Sequence, residues 1–98
     1  MDSRQLTQNI ILSDYPFPRN PAGCRMVLAA IAAHSHPRTG TAFPSQARIA
    51  SLTDLSVRQV RRCINALILD GVLTVVDRSP RRTVYRVHSS FQTPDSAS

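Results

Sequence analysis

The sequence predicts an α+β domain of three helices followed by a C-terminal β-hairpin. Apolar residues recur at helical spacing in three segments, each preceded by Ser or Asn, and two β-rich runs near the C-terminus flank a short turn. Ser and Asn are preferred at helix N-caps, and β-rich runs joined by a short turn are typical of a hairpin. The length of 98 residues and the hydrophobic fraction of 42% suit one folded domain. We expect an N-terminal arm or strand over 1–20, the folded domain over 21–88 and a disordered tail over 89–98.

The first predicted helix covers about residues 21–34. Asn20 followed by Pro21 is a typical helix start, because Asn can cap the first turn and Pro lacks an N–H that the first turn leaves without a helical partner. The apolar run 26–33 continues the helix. Before it, the two prolines within 15–18 predict extended backbone, since a residue that precedes proline is disfavoured in the helical region.

Two further helices are predicted over 46–53 and 57–70, and only a tight turn separates them. Ser45 and Ser56 are their expected N-caps. Gly71 ends the last helix at a position where a left-handed residue is usual. Helices joined by so short a turn must cross sharply.

The hairpin is predicted from strands over 72–77 and 82–87 with a turn over 78–81. The second strand alternates apolar and polar residues, which is typical of a half-buried strand. The residues of the last two helices and the hairpin that we expect to face the core are Ile49, Ala50, Leu52, Val57, Val60, Ile64, Leu67, Val75, Val84 and Val87.

The charge of the chain indicates a polyanionic partner. All twelve basic residues are Arg and all six acidic residues are Asp, so the formal net charge is +6. Guanidinium groups are suited to bidentate contacts with phosphate or guanine, and an excess of fixed positive charge favours nucleic acid. A GC-rich genome that encodes Arg in place of Lys is the alternative explanation, but it does not explain the uneven placement of the arginines.

The helix predicted over 57–70 has a polar side that contains no acidic residue. The side chains of that polar side are Arg58, Gln59, Arg61, Arg62 and Asn65. Arg matches guanine, Asn and Gln match adenine, and each can reach a phosphate oxygen. The alternative interpretation is a merely solvated helix face, although such a face would normally mix both signs of charge.

The hairpin adds positive charge next to this helix. Arg78, Arg81 and Arg82 lie at its tip, and Arg86 lies further along the second strand. If the hairpin packs back on the core, these side chains and the helix form one cationic surface suited to the sugar-phosphate backbone or to a minor groove. A charged but functionless turn is the alternative.

Residues 43–73 carry a family resemblance. The segments Phe43-Pro44-Ser45-Gln46, Leu55-Ser56-Val57-Arg58 and Asp70-Gly71-Val72-Leu73, with the hydrophobic positions between them, are similar to winged helix-turn-helix domains of phage and plasmid replication and regulatory proteins. The similarity covers about residues 22–87. It implies double-stranded DNA as partner, with the helix that begins near Ser56 in the major groove and the hairpin, or wing, on the backbone or minor groove.

The expected DNA-contacting residues share a place on this predicted surface. They are Ser45, Gln46, Ser56, Arg58, Gln59, Arg61, Arg62, Asn65, Arg78, Arg81 and Arg82.

Two departures from the family pattern stand out. Asp54 replaces the usual Gly in the turn, where Asp tolerates a left-handed backbone better than most residues do. Ile68 and Leu69 stand where charged residues are usual, and Leu69 falls on the polar side of the helix.

These apolar residues indicate a homodimer contact. We expect it to use the C-terminal end of the last helix or the N-terminal segment, through Ile10, Ile11, Leu12, Ile68 and Leu69. An alternative for Leu69 is that the N-terminal segment covers it.

Other kinds of site find little support in the sequence. His34 and His36 with the distant Cys24 and Cys63 do not form a metal-ligand pattern, and we expect the cysteines at or near the core. No paired carboxylates, phosphate-binding Gly loop or nucleophile elbow indicates catalysis, so we expect no enzyme, cofactor or small-molecule substrate. The sequence has no secretory pattern and no apolar run of membrane-spanning length, so we expect a cytoplasmic protein with reduced thiols.

Three functions remain open at this stage. The first is a sequence-specific regulator of phage or plasmid type that represses by occupying promoter DNA. The second is an accessory protein of replication, excision or partition on a mobile element. The third, from another class, is a winged-helix protein-interaction module that docks an acidic partner and binds no DNA.

Overall fold

A computed structural model describes residues 3–17, 20–36, 38–79 and 82–88. Their elements are, in chain order, α1 (Ser3–Ile11), α2 (Pro21–Ala33), β1 (Thr41–Ala42), α3 (Gln46–Thr53), α4 (Val57–Leu69), β2 (Leu73–Arg78) and β3 (Thr83–Val87). The predicted α+β class is confirmed, with one helix and one strand more than expected. The predicted disordered tail, residues 89–98, lies outside the described residues. None of the helices in the described ranges is long and apolar enough to cross a membrane.

The predicted N-caps are confirmed. The Asn20 side chain accepts a hydrogen bond from the backbone N–H of Gly23 at 3.4 Å, with Pro21 in the first turn of α2. Ser45 Oγ accepts from the N–H of Arg48 at 3.0 Å. Both bonds satisfy an N–H that the helix itself leaves without a partner, so they determine where each helix begins.

Two left-handed residues end α3 and α4. Asp54 has φ 62° and ψ 22°, as expected for the position where the family pattern has Gly. Gly71, with φ 84°, follows α4 and turns the chain towards β2. Both positions require a positive φ, which Gly adopts without a steric penalty and Asp tolerates better than most residues.

The predicted N-terminal strand or extended arm is wrong, because residues 3–11 form α1. Leu6 and Ile10, four positions apart and therefore on one face, are 3% and 0% exposed. A helix of nine residues is marginal by itself in water, and its stability here comes from packing against α2. Burial also rules out Ile10 as a dimer contact, since its side chain belongs to the chain's own core.

The first half of the linker between α1 and α2 is held by side-chain hydrogen bonds. One guanidinium nitrogen of Arg25 donates to the carbonyl oxygens of Ile11 and Ser13 at 2.8 and 2.9 Å. The Tyr15 hydroxyl donates to the carboxylate of Asp70, beyond the end of α4. That hydrogen bond, together with burial and the negative charge of Asp70, raises the pKa of Tyr15. The linker therefore lies against the C-terminal end of α4.

The three strands form an antiparallel sheet in the order β1-β3-β2. Leu73 pairs with Val87, and a register shift between Val75 and Asp77 bends β2 before the hairpin tip. Strand β1, at residues 41–42, lies at an edge of this sheet. It joins the region before α3 directly to the hairpin.

The core lies between the helices and the inner face of this sheet. Its largest fully buried side chains are Ile10, Leu28, Ile31, Ile49, Leu67 and Leu73. Three of the predicted inward positions are wrong. Leu52 and Val57 are 44% and 38% exposed, and Val84 is only half-buried. Tyr85 faces the core in place of Val84, because Val84 and Val87 differ by an odd number of positions and cannot share one face of a strand.

Candidate nucleic-acid interface

Helix α4 separates an apolar stripe from a basic face. Val60, Cys63, Ile64 and Leu67 are buried, and the helix is about 20 Å long at 1.5 Å per residue. All five side chains predicted on the opposite side are exposed: Arg58, Gln59, Arg61, Arg62 and Asn65. The structure therefore turns this acid-free side outward, as the sequence predicted.

The first turn of α4 concentrates positive charge. It contains no acidic residue and carries Arg58 at its second position. The N-terminus of a helix already has a partial positive charge, so an arginine there is electrostatically unfavourable by roughly 0.3–1 kcal/mol. The same arrangement attracts an anion, because backbone N–H groups and a guanidinium converge on it. The N-terminal end of α4 is thus a region of positive electrostatic potential.

Helix α3 is joined to this basic face by a side-chain contact. Arg61 Nε donates to Gln46 Oε1 at 3.3 Å, which links the start of α3 to the middle of α4. Ser45 and Ser56, predicted as contact residues, are both exposed, and their hydroxyls cap the two helices.

The hairpin tip leans towards α3 through a cation–π contact. The guanidinium carbon of Arg82 lies 4.2 Å from the centre of the Phe43 ring. Ser79 closes the turn, since its backbone N–H donates to the carbonyl oxygen of Arg82 at 2.9 Å. Arg78 is exposed on β2, whereas the predicted contact residue Arg81 lies outside the described residues.

A groove of about 380 Å³ lies between the hairpin tip and α3. Its walls include Phe43, Pro44, Ser45, Gln46, Ser79 and Arg82. It connects the positive end of α3 to the hairpin, so α3, α4 and the hairpin tip form one continuous surface. Phe43, which is 51% exposed, was missed as a site residue, although its place in the segment Phe43-Pro44-Ser45-Gln46, two positions before the cap of α3, was the available signal.

Residues 22–73 match a family model described as a helix-turn-helix domain. The chain belongs to the helix-turn-helix domain family. Helices α3 and α4 with the turn at Asp54 are its helix-turn-helix, α4 is the recognition helix, and β2 with β3 is a wing, so the fold is an α+β winged helix-turn-helix. Family membership indicates DNA as the partner. Neither the curated proteins nor the solved structures contain a match to this chain.

The predicted dimer residues occupy two environments besides the buried Ile10. Ile11, Leu12 and Leu69 are 43%, 76% and 88% exposed, whereas Ile68 is half-buried against the core. Leu69 is therefore not covered by the N-terminal segment. Among the residues that the structure describes, no cluster of three or more His, Cys, Asp or Glu could hold a metal ion.

The side chain of Gln59 takes part in capping the N-terminus of α4. Its Oε1 accepts from the backbone N–H of Ser56 at 3.0 Å, and Ser56 Oγ accepts from the N–H of Gln59 at 3.1 Å. This capping box uses the amide oxygen that a bidentate contact with adenine requires. The capping box therefore occupies the Gln59 amide oxygen and leaves its NH₂ group for other contacts.

Replacing Gln59 with Ala removes one half of this capping box. We expect Gln59→Ala to lower the free energy of unfolding by about 0.5–1 kcal/mol. Gln59→Glu is the matched control, since a carboxylate can accept the same hydrogen bond and suits the helix N-terminus. Urea unfolding of the three proteins measures the effect. Equal losses in both variants would show that the capping interaction does not stabilise the helix.

Phe43 positions the wing arginine. An exposed cation–π contact contributes about 0.5–1 kcal/mol, so we expect Phe43→Leu to weaken binding to every duplex about two- to fivefold. Phe43→Tyr, which keeps the aromatic face, leaves affinity unchanged. Fluorescence anisotropy with a selected and a random duplex checks both variants. A loss confined to the selected duplex would mean that Phe43 contributes to base recognition rather than to placing Arg82.

Proposed function

We propose that the chain is a sequence-specific double-stranded DNA-binding protein that acts as a small transcriptional repressor of phage or plasmid type. The recognition helix α4 enters the major groove, and the wing lies on the backbone or in the adjacent minor groove. Repression follows from occupation of promoter DNA, without catalysis and without a small-molecule substrate. A DNA partner also favours a cytoplasmic location.

The observation that carries this proposal is the outward basic face of α4. Arg58, Arg61 and Arg62 are exposed on one helix, and the contacts Gln46–Arg61 and Phe43–Arg82 extend that face to α3 and the wing. The major groove is about 12 Å wide and admits one helix, so the N-terminal half of α4 can reach base edges while its apolar stripe stays on the core.

The two parts of the surface have different tasks in this proposal. Arg58, Arg62 and Asn65 project from α4 and read base edges, which makes them determinants of sequence. Arg78 and Arg82 on the wing contact phosphates and affect all sequences alike. The phage or plasmid assignment is supported by the motif that starts at Phe43, and a role in replication, excision or partition uses the same contacts.

A homodimer is part of the proposal. Leu12 and Leu69 are the most exposed large apolar side chains in the described part of the chain. The hydrogen bond from Tyr15 to Asp70 holds the linker after Leu12 beside the residue that follows Leu69, so both leucines belong to one end of the molecule. A second copy packing there would bury them and place two recognition helices for two half-sites. Sedimentation of the wild type and of Leu69→Glu measures this association.

Selection of bound duplexes from a random pool tests the function. We expect an enriched site, and a palindrome with half-sites about one helical turn apart would report the dimer. Binding to a random duplex should weaken with salt, with a logarithmic slope of about 0.9 per phosphate contact. The location of the enriched site at a promoter or at an origin separates the regulator from the replication accessory protein.

The alternative function, a winged-helix module that binds another protein and no DNA, predicts a different result of this selection. The exposed Leu69 is the observation that favours it. In that case no sequence is enriched, and Arg58→Ala with Arg62→Ala leaves duplex affinity unchanged. Such an outcome would overturn the proposed DNA function while leaving the fold as described.

A further inference from the structure

Two thiols lie side by side behind the recognition helix. Cys24 on α2 and Cys63 on α4 are 1% and 5% exposed, and both are present as thiols. Both cysteines line the same cavity, and burial together with a hydrogen-bond interaction with Cys63 raises the pKa of Cys24, so the two thiols are neighbours. Because α2 packs on α4, two neighbouring thiols on these helices can approach to form a disulfide.

A surface cavity leads to this pair. It has a volume of about 180 Å³, and its walls are Asn20, Cys24, Gln59, Arg62, Cys63 and Ala66. Because Gln59 and Arg62 are exposed on the basic face, the cavity opens beside the proposed DNA contacts. A hydroperoxide is small enough for a cavity of this volume.

The two thiols differ in accessibility. Cys63 is the more exposed of the two, so it reacts first. Burial, with the hydrogen bond to Cys63 and its charge, raises the pKa of Cys24 to about 12, so Cys24 carries its proton at neutral pH. A protonated thiol is a slow nucleophile, so it is the position of Cys24 in the same cavity, and not its pKa, that makes it the partner for an oxidised Cys63.

We propose that Cys24 and Cys63 are a redox-sensitive dithiol whose oxidation to an intramolecular disulfide weakens DNA binding. A hydroperoxide is the oxidant. The sulfur of Cys63 attacks the terminal oxygen of the hydroperoxide and becomes a sulfenic acid. The rest of the hydroperoxide leaves as an alcohol, or as water when the oxidant is hydrogen peroxide. The sulfur of Cys24 then attacks the sulfenic sulfur, and its proton departs with the hydroxyl group as water. The two thiols lose two electrons, and the peroxide bond gains them.

The effect on DNA follows from the position of Cys63, and this part rests on the proposed function. A disulfide requires a sulfur–sulfur distance of about 2.05 Å, so its formation draws α4 and α2 together. Helix α2 is held by α1 and the core, whereas one side of α4 is exposed. Binding sites tolerate displacements of only about 0.5 Å, so we expect DNA affinity to fall about tenfold.

The full chain tests the proposal in two states. One sample is reduced with a phosphine and the other is treated with hydrogen peroxide, and intact mass and duplex affinity are measured in both. We expect a monomer about 2 Da lighter, a peptide that joins Cys24 to Cys63, and about tenfold weaker DNA binding that a reductant restores. The variant Cys24→Ala keeps Cys63 but cannot form the bond, so its affinity should not respond to mild peroxide treatment.

Other outcomes overturn the proposal in separable ways. An unchanged mass, an oxygen adduct on one cysteine or a disulfide between two chains excludes the intramolecular dithiol. The 2 Da loss with unchanged affinity excludes the regulatory part. Because the mass measurement uses the wild type, it decides the question even if Cys24→Ala fails to fold. Reduced protein that binds no duplex refutes the proposed function, while the mass still decides whether the thiols react.

Discussion

The double variant Arg58→Glu with Arg62→Glu should lose about 1,000-fold in affinity for its selected duplex, because two contacts of about 2 kcal/mol each are removed. Both side chains are exposed on α4, so neither supports the core. The free energy of unfolding of the double variant should not fall along with its affinity for the duplex. The new carboxylate at position 58 lies in the first turn of α4, where a negative charge is favourable by about 0.3–1 kcal/mol. Anisotropy titration and thermal unfolding of the same samples separate the two effects.

A control with the same change in net charge isolates the role of position. Arg4 on α1 and Arg38 after α2 are also exposed, and they lie outside the surface formed by α3, α4 and the wing. Arg4→Glu with Arg38→Glu should lower affinity only through long-range electrostatics, an effect that decreases with salt. Equal losses for both double variants at high salt would contradict a specific recognition surface on α4.

Ile10→Ala should lower the free energy of unfolding by about 2–5 kcal/mol, because it leaves a cavity where a fully buried side chain packs α1 on the core. Ile10 is 0% exposed although it lies in a helix of only nine residues. A domain of this size has a total stability of about 5–15 kcal/mol, so the loss is a large share of it. Urea unfolding followed by circular dichroism measures the midpoint and the slope.

The matched control for this prediction is on the same helix. Gln8 is exposed two positions before Ile10, and Gln8→Ala removes no buried group. We expect a change within about 0.5 kcal/mol. If Ile10→Ala changed stability no more than Gln8→Ala, α1 would not be part of the cooperative core, and the N-terminal segment would be an independent arm.

Local signals in the sequence were sufficient for α2, α3, α4 and the hairpin. Capping and turn residues act on their immediate backbone neighbours, so Ser45, Ser56, Asp54 and Gly71 could be assigned roles without coordinates. The error at α1 has the opposite cause. Its helix depends on burial of Leu6 and Ile10 against α2, and the prolines that follow suggested extended backbone for the whole segment.

The candidate site shows the same division. The basic side of α4 followed from spacing alone, since 100° per residue places Arg58 and Arg62 on one side and Val60 and Ile64 on the other. The register of the wing did not, because β2 has a bulge between Val75 and Asp77. Phe43 and Arg82 lie far apart in sequence, and only their contact shows that the wing is positioned against α3.

The sequence by itself determined the class of the fold, the starts and ends of three helices and the acid-free face of α4, because each of these depends on residues within one or two turns of one another. Tertiary structure alone decided that residues 3–11 are a helix, that Leu69 is exposed and Ile10 buried, and that Cys24 and Cys63 line one cavity. These features depend on which surfaces meet across the chain. A local sequence pattern does not specify which surfaces pack together, because the burial of a side chain depends on the segment that covers it as well as on the side chain itself.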